Sequence, residues 1–64
     1  MVTINGEKVA AVGKTVLAYL SENGYVVGTI AVEINEEILP KSEYDNTVFQ
    51  EGDVVEIVNF VGGG

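Results

Sequence analysis

The end of the chain is the part of the sequence best suited to chemistry. The chain finishes in Gly62-Gly63-Gly64, so the last carboxylate has no side chain beside it. Three consecutive glycines lose much conformational entropy when they are ordered, and we expect residues 62–64 to form a flexible, thin tail. The sequence therefore predicts that Gly64 is the modified residue and that Gly62 and Gly63 thread it into a partner's active site.

A carboxylate needs activation before a nucleophile can attack it, because oxide is a poor leaving group. We expect a partner enzyme to convert the Gly64 carboxylate into an acyl adenylate, using ATP and a divalent metal. The adenylate can then accept sulfur or a thiol. The chain itself is expected to bind no cofactor. The alternative is that the three glycines are a frayed end without a function.

The rest of the chain offers few groups for catalysis. It contains no Cys and no His, which excludes disulfides, thiolate and imidazole nucleophiles and zinc fingers. Two acidic pairs, Glu36-Glu37 and Glu51 with Asp53, lie in predicted turns, where carboxylates are commonly solvated. With 64 residues the chain makes one small domain. We predict a carrier that partner enzymes act on, with no catalytic residue and no metal site.

The charge of the chain restricts its partners. Ten Asp and Glu residues against three Lys residues produce a formal net charge of −7. Such a surface repels nucleic acids and anionic lipids, so neither is an expected partner. The expected partners are proteins with basic surfaces. The alternative is that the negative charge serves only solubility. No apolar run of about 18 residues and no leader sequence is visible. The expected protein is cytoplasmic and monomeric when free.

Two hairpin strands are predicted at the start of the chain. Asn5-Gly6 between short β-favouring runs is typical of a type I′ turn. Across this turn Val2 pairs with Val9 and Ile4 with Glu7. The second pair matches less well, which leaves a slip of one residue open.

A short helix is predicted next. Thr15 can cap its start, an apolar face is formed by Val16, Leu17 and Leu20, and Gly24 suits a left-handed end. A helix of about nine residues is too short to persist alone, so it needs a sheet to pack against.

Further strands are predicted in the second half. Ile30, Val32 and Ile34 alternate with other residues, as in a strand with one buried face, and a short strand ends at Pro40. We interpret the segment from Lys41 to Gln50 as a polar loop with a helical turn around Ser42 to Tyr44.

The run from Val54 to Val61 is the longest predicted strand. One face carries Val55, Ile57 and Val61, and the other carries Val54, Glu56, Val58 and Phe60. The acidic Glu56 places the second face outside, which predicts that Val58 and Phe60 are exposed and dock partner proteins. The alternative is that they pack under the 41–50 loop.

These elements predict an α+β fold. The order β-β-α-β-β, with the last strand in mid-sheet and parallel to the first, is that of a ubiquitin-like β-grasp roll. We expect a mixed sheet of about four strands with one main helix, in a domain that spans residues 1–61 and precedes the 62–64 tail.

Six segments together resemble the ThiS family of thiamine-biosynthesis sulfur carriers. Two of the six lie between Ala31 and Pro40, where Ala31-Val32-Glu33-Ile34-Asn35 precedes Ile38-Leu39-Pro40. This stretch and the Gly52-Asp53 turn, which leads into a strand that ends in glycines, are the most specific. The others are Val2 to Asn5, Thr15 to Leu20 and Val58 to Gly64. The chain departs from the family in its third glycine and in Asn59 and Phe60.

The resemblance implies a function. A ubiquitin-activating-type, ThiF-like adenylyltransferase would adenylate Gly64, which would then become a thiocarboxylate and donate its sulfur to a ThiG-like thiazole synthase. The family's basic residue after proline is present as Lys41. Two alternatives stay open: a sulfur carrier for molybdopterin or another sulfur-containing product, and a non-catalytic β-grasp interaction module in which the glycines are incidental.

Overall fold

A computed structural model describes residues 1–60, so the predictions for Val61 and for the tail at residues 62–64 lie outside the described residues. The described strands are β1 (Val2–Ile4), β2 (Glu7–Val9), β3 (Ile30–Ile34), β4 (Glu37–Leu39) and β5 (Val54–Asn59). The α-helix, α1, spans Val16–Glu22, and short 3-10 turns span Val27–Thr29 and Lys41–Glu43.

The strands form one mixed sheet in the order β2-β1-β5-β3-β4. Strand β5 lies in the middle, parallel to β1 and antiparallel to β3. This is the predicted β-grasp roll, which is therefore confirmed. The sheet has five strands rather than about four, because the segment after the Asn35-Glu36 turn pairs with β3 over its whole length, with Val32 opposite Leu39.

The first hairpin has the predicted register. Val2 pairs with Val9 and Ile4 with Glu7. Asn5 and Gly6 have φ angles of 50° and 85°, the two positive values that a type I′ turn requires. Because a slip of one residue would expose both Val2 and Ile4, which are buried, the core also holds the hairpin in this register.

Helix α1 begins at the predicted cap. The Thr15 hydroxyl oxygen accepts a hydrogen bond from the Ala18 N–H at 3.1 Å, and Gly24 lies just past the helix with a φ of 77°. The predicted apolar face is wrong in one position, since Leu17 is 39% exposed and Tyr19 is buried. Tyr19 shares the buried face with Val16 because residues three apart lie on one side of a helix, whereas adjacent residues do not.

The 41–50 segment contributes more to the core than a polar loop would. Its short helical turn is present, but Tyr44 and Phe49 are almost completely buried. The Phe49 ring meets the Tyr19 ring edge to face, with 5.8 Å between the ring centroids. The carbonyls of Thr47 and Tyr44 also accept hydrogen bonds from the Val16 and Leu17 N–H groups, each at 2.9 Å. The segment therefore satisfies helix-start donors that have no partner within α1.

Candidate functional site

Strand β5 separates a buried face from an exposed one, as predicted. Val55 and Ile57 lie in the core beneath α1. On the other side Val58 is 48% exposed and Phe60, just past the strand, is 50% exposed. The prediction that both side chains are exposed is confirmed, and neither is buried under the 41–50 segment. Val58 and Phe60 are thus available to a partner at the point where the chain continues toward Gly64.

The backbone around Phe60 is held by the start of β3. The Phe60 N–H donates to the Thr29 carbonyl at 2.7 Å, and Ile30 pairs with Asn59. The Thr29 hydroxyl also lies 3.5 Å from the Asn59 side-chain oxygen. These contacts hold Asn59 and Phe60 against the start of β3.

Lys41 contacts the Ile30 backbone and lies beside the Phe60 side chain. Its Nζ donates to the Ile30 carbonyl at 2.7 Å and lies 5.8 Å from the centre of the Phe60 ring. A cation at this distance from an aromatic face is attracted to the ring. Sequence reasoning identified Lys41 only as the basic residue after Pro40, and it missed this contact because the three groups come from separate elements.

Two turn asparagines hold β5 from opposite sides. Asn5 follows β1, and its amide oxygen accepts from the Ile57 N–H at 2.8 Å. Asn35 follows β3, and its amide oxygen accepts from the Val54 N–H at 3.0 Å. Sequence reasoning treated both as turn residues alone, although their equivalent position in two hairpins is a signal that could have indicated a shared role. The strand that leads to Gly64 is therefore braced at both edges.

Of the two acidic pairs predicted to lie in turns, Glu51 and Asp53 both make contacts within the fold, whereas Glu37 of the other pair is the first residue of β4. Glu51 forms an ion pair with the Met1 amino group. The Asp53 carboxylate accepts from the Gln50 N–H at 2.9 Å and from the Asn35 amide at 3.1 Å.

Within residues 1–60 the His, Cys, Asp and Glu side chains form no group of three or more that could hold a metal ion. In the same range, no helix combines the length and the apolar character needed to cross a membrane.

An open cavity of about 310 Å³ lies beside Asn35, Glu36 and Val54. Val54 begins β5, so the cavity is at the opposite end of this strand from Phe60. The Asn35 side chain already bonds both Val54 and Asp53. We therefore place the candidate site at the Phe60 end. Gly62, Gly63 and Gly64, the predicted threading and modified residues, lie outside the described residues.

A helix packed on a mixed sheet, with the last strand in the middle and parallel to the first, defines a ubiquitin-like β-grasp protein. The comparison with known families refines this class. The ThiS family model matches residues 2–64, and the chain belongs to that family. The family resemblance predicted from the residues is confirmed.

Curated relatives fall into two groups. The sulfur carrier protein ThiS of Thermus thermophilus is 39% identical, and the match covers all of both chains. ThiS of Bacillus subtilis is 36% identical, again over all of both chains. The thiazole synthase of Paramagnetospirillum magneticum is 47% identical over 62 residues, which cover 95% of this chain and 19% of that protein. The chain thus spans about a fifth of the thiazole synthases it matches.

A solved structure has the same fold. The crystal structure of the thiamine biosynthesis protein ThiS from Geobacter metallireducens aligns with a TM-score of 0.78 and 34% sequence identity. The alignment covers 98% of this chain and 97% of the other. The β-grasp arrangement described above therefore agrees with a solved member of the family.

Proposed function

We propose that this chain carries sulfur as a thiocarboxylate on Gly64 and donates it for thiazole formation in thiamine biosynthesis. One observation carries the proposal: the chain matches a sulfur carrier protein from end to end, at 39% identity. The family match also extends through the glycine segment to residue 64. A carrier without Cys or His needs a reactive group other than a thiol or an imidazole, and the Gly64 carboxylate is suited to that role.

The proposed chemistry has two steps on the carrier. A carboxylate oxygen of Gly64 attacks the α-phosphorus of ATP, and pyrophosphate leaves, so that an acyl adenylate forms. A sulfur donor at the oxidation level of sulfide, such as hydrosulfide, then attacks the carbonyl carbon, the bond to AMP breaks and AMP leaves, and loss of the sulfur-bound proton produces the thiocarboxylate. The enzyme proposed for the first step is a ThiF-like adenylyltransferase, which supplies ATP and a divalent metal. Gly62 and Gly63 add no side chain to the segment that must enter its active site.

The proposed sulfur acceptor is a ThiG-like thiazole synthase. Two curated thiazole synthases contain a segment similar to this chain, at 47% and 37% identity over 62 residues each. A synthase whose own polypeptide includes a carrier-like segment supports a working contact between carrier and synthase. This observation favours the thiamine branch over a molybdopterin carrier and over a plain interaction module.

The proposed docking residues are Val58 and Phe60. Both are about half exposed, and Phe60 is held by the Thr29 carbonyl and lies beside Lys41. An exposed apolar pair favours binding, because a partner that covers it removes its apolar surface from water. The free carrier is proposed to be a cytoplasmic monomer whose partners are these enzymes and neither nucleic acid nor membrane.

Intact-mass analysis tests the proposal. The chain is incubated with a ThiF-like adenylyltransferase, ATP, magnesium and a sulfur donor, and fragmentation then locates the change. We expect one oxygen of Gly64 to be replaced by sulfur. A chemically synthesised chain with a Gly64 carboxamide is the matched control, and it should stay unmodified. Sulfur on any side chain, or an unchanged mass under these conditions, would contradict the proposal.

A further inference from the structure

Two glutamates face each other on the outer side of the sheet. Glu33 of β3 is directly opposite Glu56 of β5. Directly opposite residues in an antiparallel pair have Cβ atoms about 5 Å apart, and like charges in these positions destabilise a sheet. In residues 1–60, which include every lysine, the ion pairs are Met1 with Glu51 and Lys14 with Glu22. Within this range, neither carboxylate of the facing pair forms an ion pair.

Apolar side chains surround this glutamate pair. Ile38 is directly opposite Glu33 on β4 and is 72% exposed. Val58, which pairs with Ala31, lies two residues along β5 on one side of Glu56, and the half-exposed Val54 lies two residues along on the other. These neighbours point to the same face because side chains two residues apart in a strand do so. The carboxylates thus sit inside an exposed apolar patch rather than on a wholly polar surface.

The two facing carboxylates repel each other. The exposed apolar side chains around them are suited to an interface with a partner protein. A partner that covers the apolar patch excludes water from the two carboxylates and so strengthens their attraction to a cation. The planar guanidinium of arginine offers five donors in a fixed fork and can bond two carboxylates at once, whereas an ammonium acts as a point charge.

The geometry points to a docking surface, centred on Glu33 and Glu56, for a partner protein that presents an arginine ringed by apolar side chains. We take the activating enzyme as that partner, and this choice rests on the proposed function. Ile38, Val54 and Val58 form the apolar rim. This surface continues the patch at Val58 and Phe60 across the sheet to β4, and it adds a charged centre that Val58 and Phe60 lack.

The first test uses methylguanidinium as a probe and needs no partner. Isotope-labelled protein is titrated with methylguanidinium and, separately, with methylammonium, and the amide shifts are followed by NMR. We expect methylguanidinium to shift the amides of Glu33 and Glu56 more than methylammonium does. Glu33→Gln and Glu56→Gln should each remove that difference. Shifts that are equal for the two cations, or that spread over all the carboxylates, would overturn the inference.

The second test measures the affinity of a ThiF-like adenylyltransferase for the same variants. Glu33→Gln and Glu56→Gln should each weaken binding at least about tenfold, as the loss of one partner from a desolvated charge pair does. Glu22→Gln is the matched control, because it makes the same charge change on α1, which covers the inner face, and it should bind like the wild type. The melting temperatures of the two sheet variants should equal or exceed that of the wild type, since a repulsion is removed.

The outcomes separate the inference from the proposed function. If the wild type is adenylated but Glu33→Gln and Glu56→Gln bind as tightly as Glu22→Gln, the inference is wrong and the carrier function stands. If the enzyme does not adenylate the wild type, the proposed function fails. In that case the methylguanidinium titration decides the inference by itself.

Discussion

The side chain of Asn5 bonds the backbone of Ile57 as a neighbouring strand would. Its amide oxygen accepts from the Ile57 N–H at 2.8 Å, and its amide nitrogen lies 3.4 Å from the Ile57 carbonyl oxygen. The Asn5 N–H itself donates to the Val55 carbonyl at 2.9 Å. Because β1 ends at Ile4, the amide extends the parallel pairing of β1 and β5 by one step beyond the strand. The first hairpin turn is thus also part of the support for the strand that leads to Gly64.

Replacing Asn5 with glycine should destabilise the fold by about 1 to 2 kcal/mol, since each hydrogen bond contributes a net of about 1 kcal/mol. Glycine keeps the positive φ of this position, so the loss reports on the amide rather than on backbone strain. Urea unfolding measures the change. Asn5→Ala is the companion variant, and it should lose more because alanine resists positive φ. An Asn5→Gly variant as stable as the wild type would show that the contact with Ile57 contributes nothing.

Replacing Phe60 with alanine should weaken the binding of the activating enzyme by roughly 1 to 3 kcal/mol, as expected for an aromatic residue at an interface. The melting temperature should change little, because half of the side chain is exposed in the free protein. Titration calorimetry and a thermal melt measure the two effects. Val12→Ala is a suitable control, since Val12 is 49% exposed and lies outside β5. A large drop in the melting temperature of Phe60→Ala would instead assign Phe60 to the core.

Replacing Gly63 with alanine should slow the activation of Gly64 without affecting folding. An added Cβ widens the segment that enters the partner's active site and disfavours positive φ there. Residue 63 follows β5 and the Phe60 anchor, so we expect an unchanged thermal melt. Pyrophosphate release and thiocarboxylate yield are measured at saturating ATP. Yields equal to those of the wild type would argue against threading through a narrow channel and would favour the interaction module.

Replacing Tyr44 with phenylalanine should reduce the loss of stability at alkaline pH. Burial raises the pKa of the Tyr44 hydroxyl above its ordinary value of 10.0, and a hydrogen bond with the Val32 backbone offsets part of the rise. Tyr44 therefore ionises first in the unfolded chain, so its contribution to stability is fully present below pH 10.0 and is lost as the pH rises through the folded pKa. Urea unfolding from about pH 8 to about pH 11 measures this slope. A slope equal to that of the wild type would show that Tyr44 does not contribute to it.

Local chemistry explains which features could be predicted from the sequence. Asn5-Gly6 accepts the two positive φ angles of a tight turn, and the alternation of Ile30, Val32 and Ile34 follows from the two-residue period of a strand. The Thr15 cap depends on a hydrogen bond to an N–H three residues away. Such signals lie within a few residues of each other, so turn, cap and strand were predictable one by one, and their order indicated the β-grasp roll.

The contacts that shape the candidate site depend on tertiary structure, because their partners are distant in the sequence. Lys41 reaches Ile30 and the Phe60 ring only after β3, β5 and the 41–50 segment have come together. The same assembly buries Tyr44 and Phe49 in a segment whose composition is mostly polar. It also places Glu33 opposite Glu56, which are 23 positions apart in the sequence and belong to strands that pair only in the folded sheet. The sequence by itself determined the glycine segment at residues 62–64 and the local elements. The packing of β3 against β5 decided which side chains surround Phe60, since pairing between distant strands has no local signal.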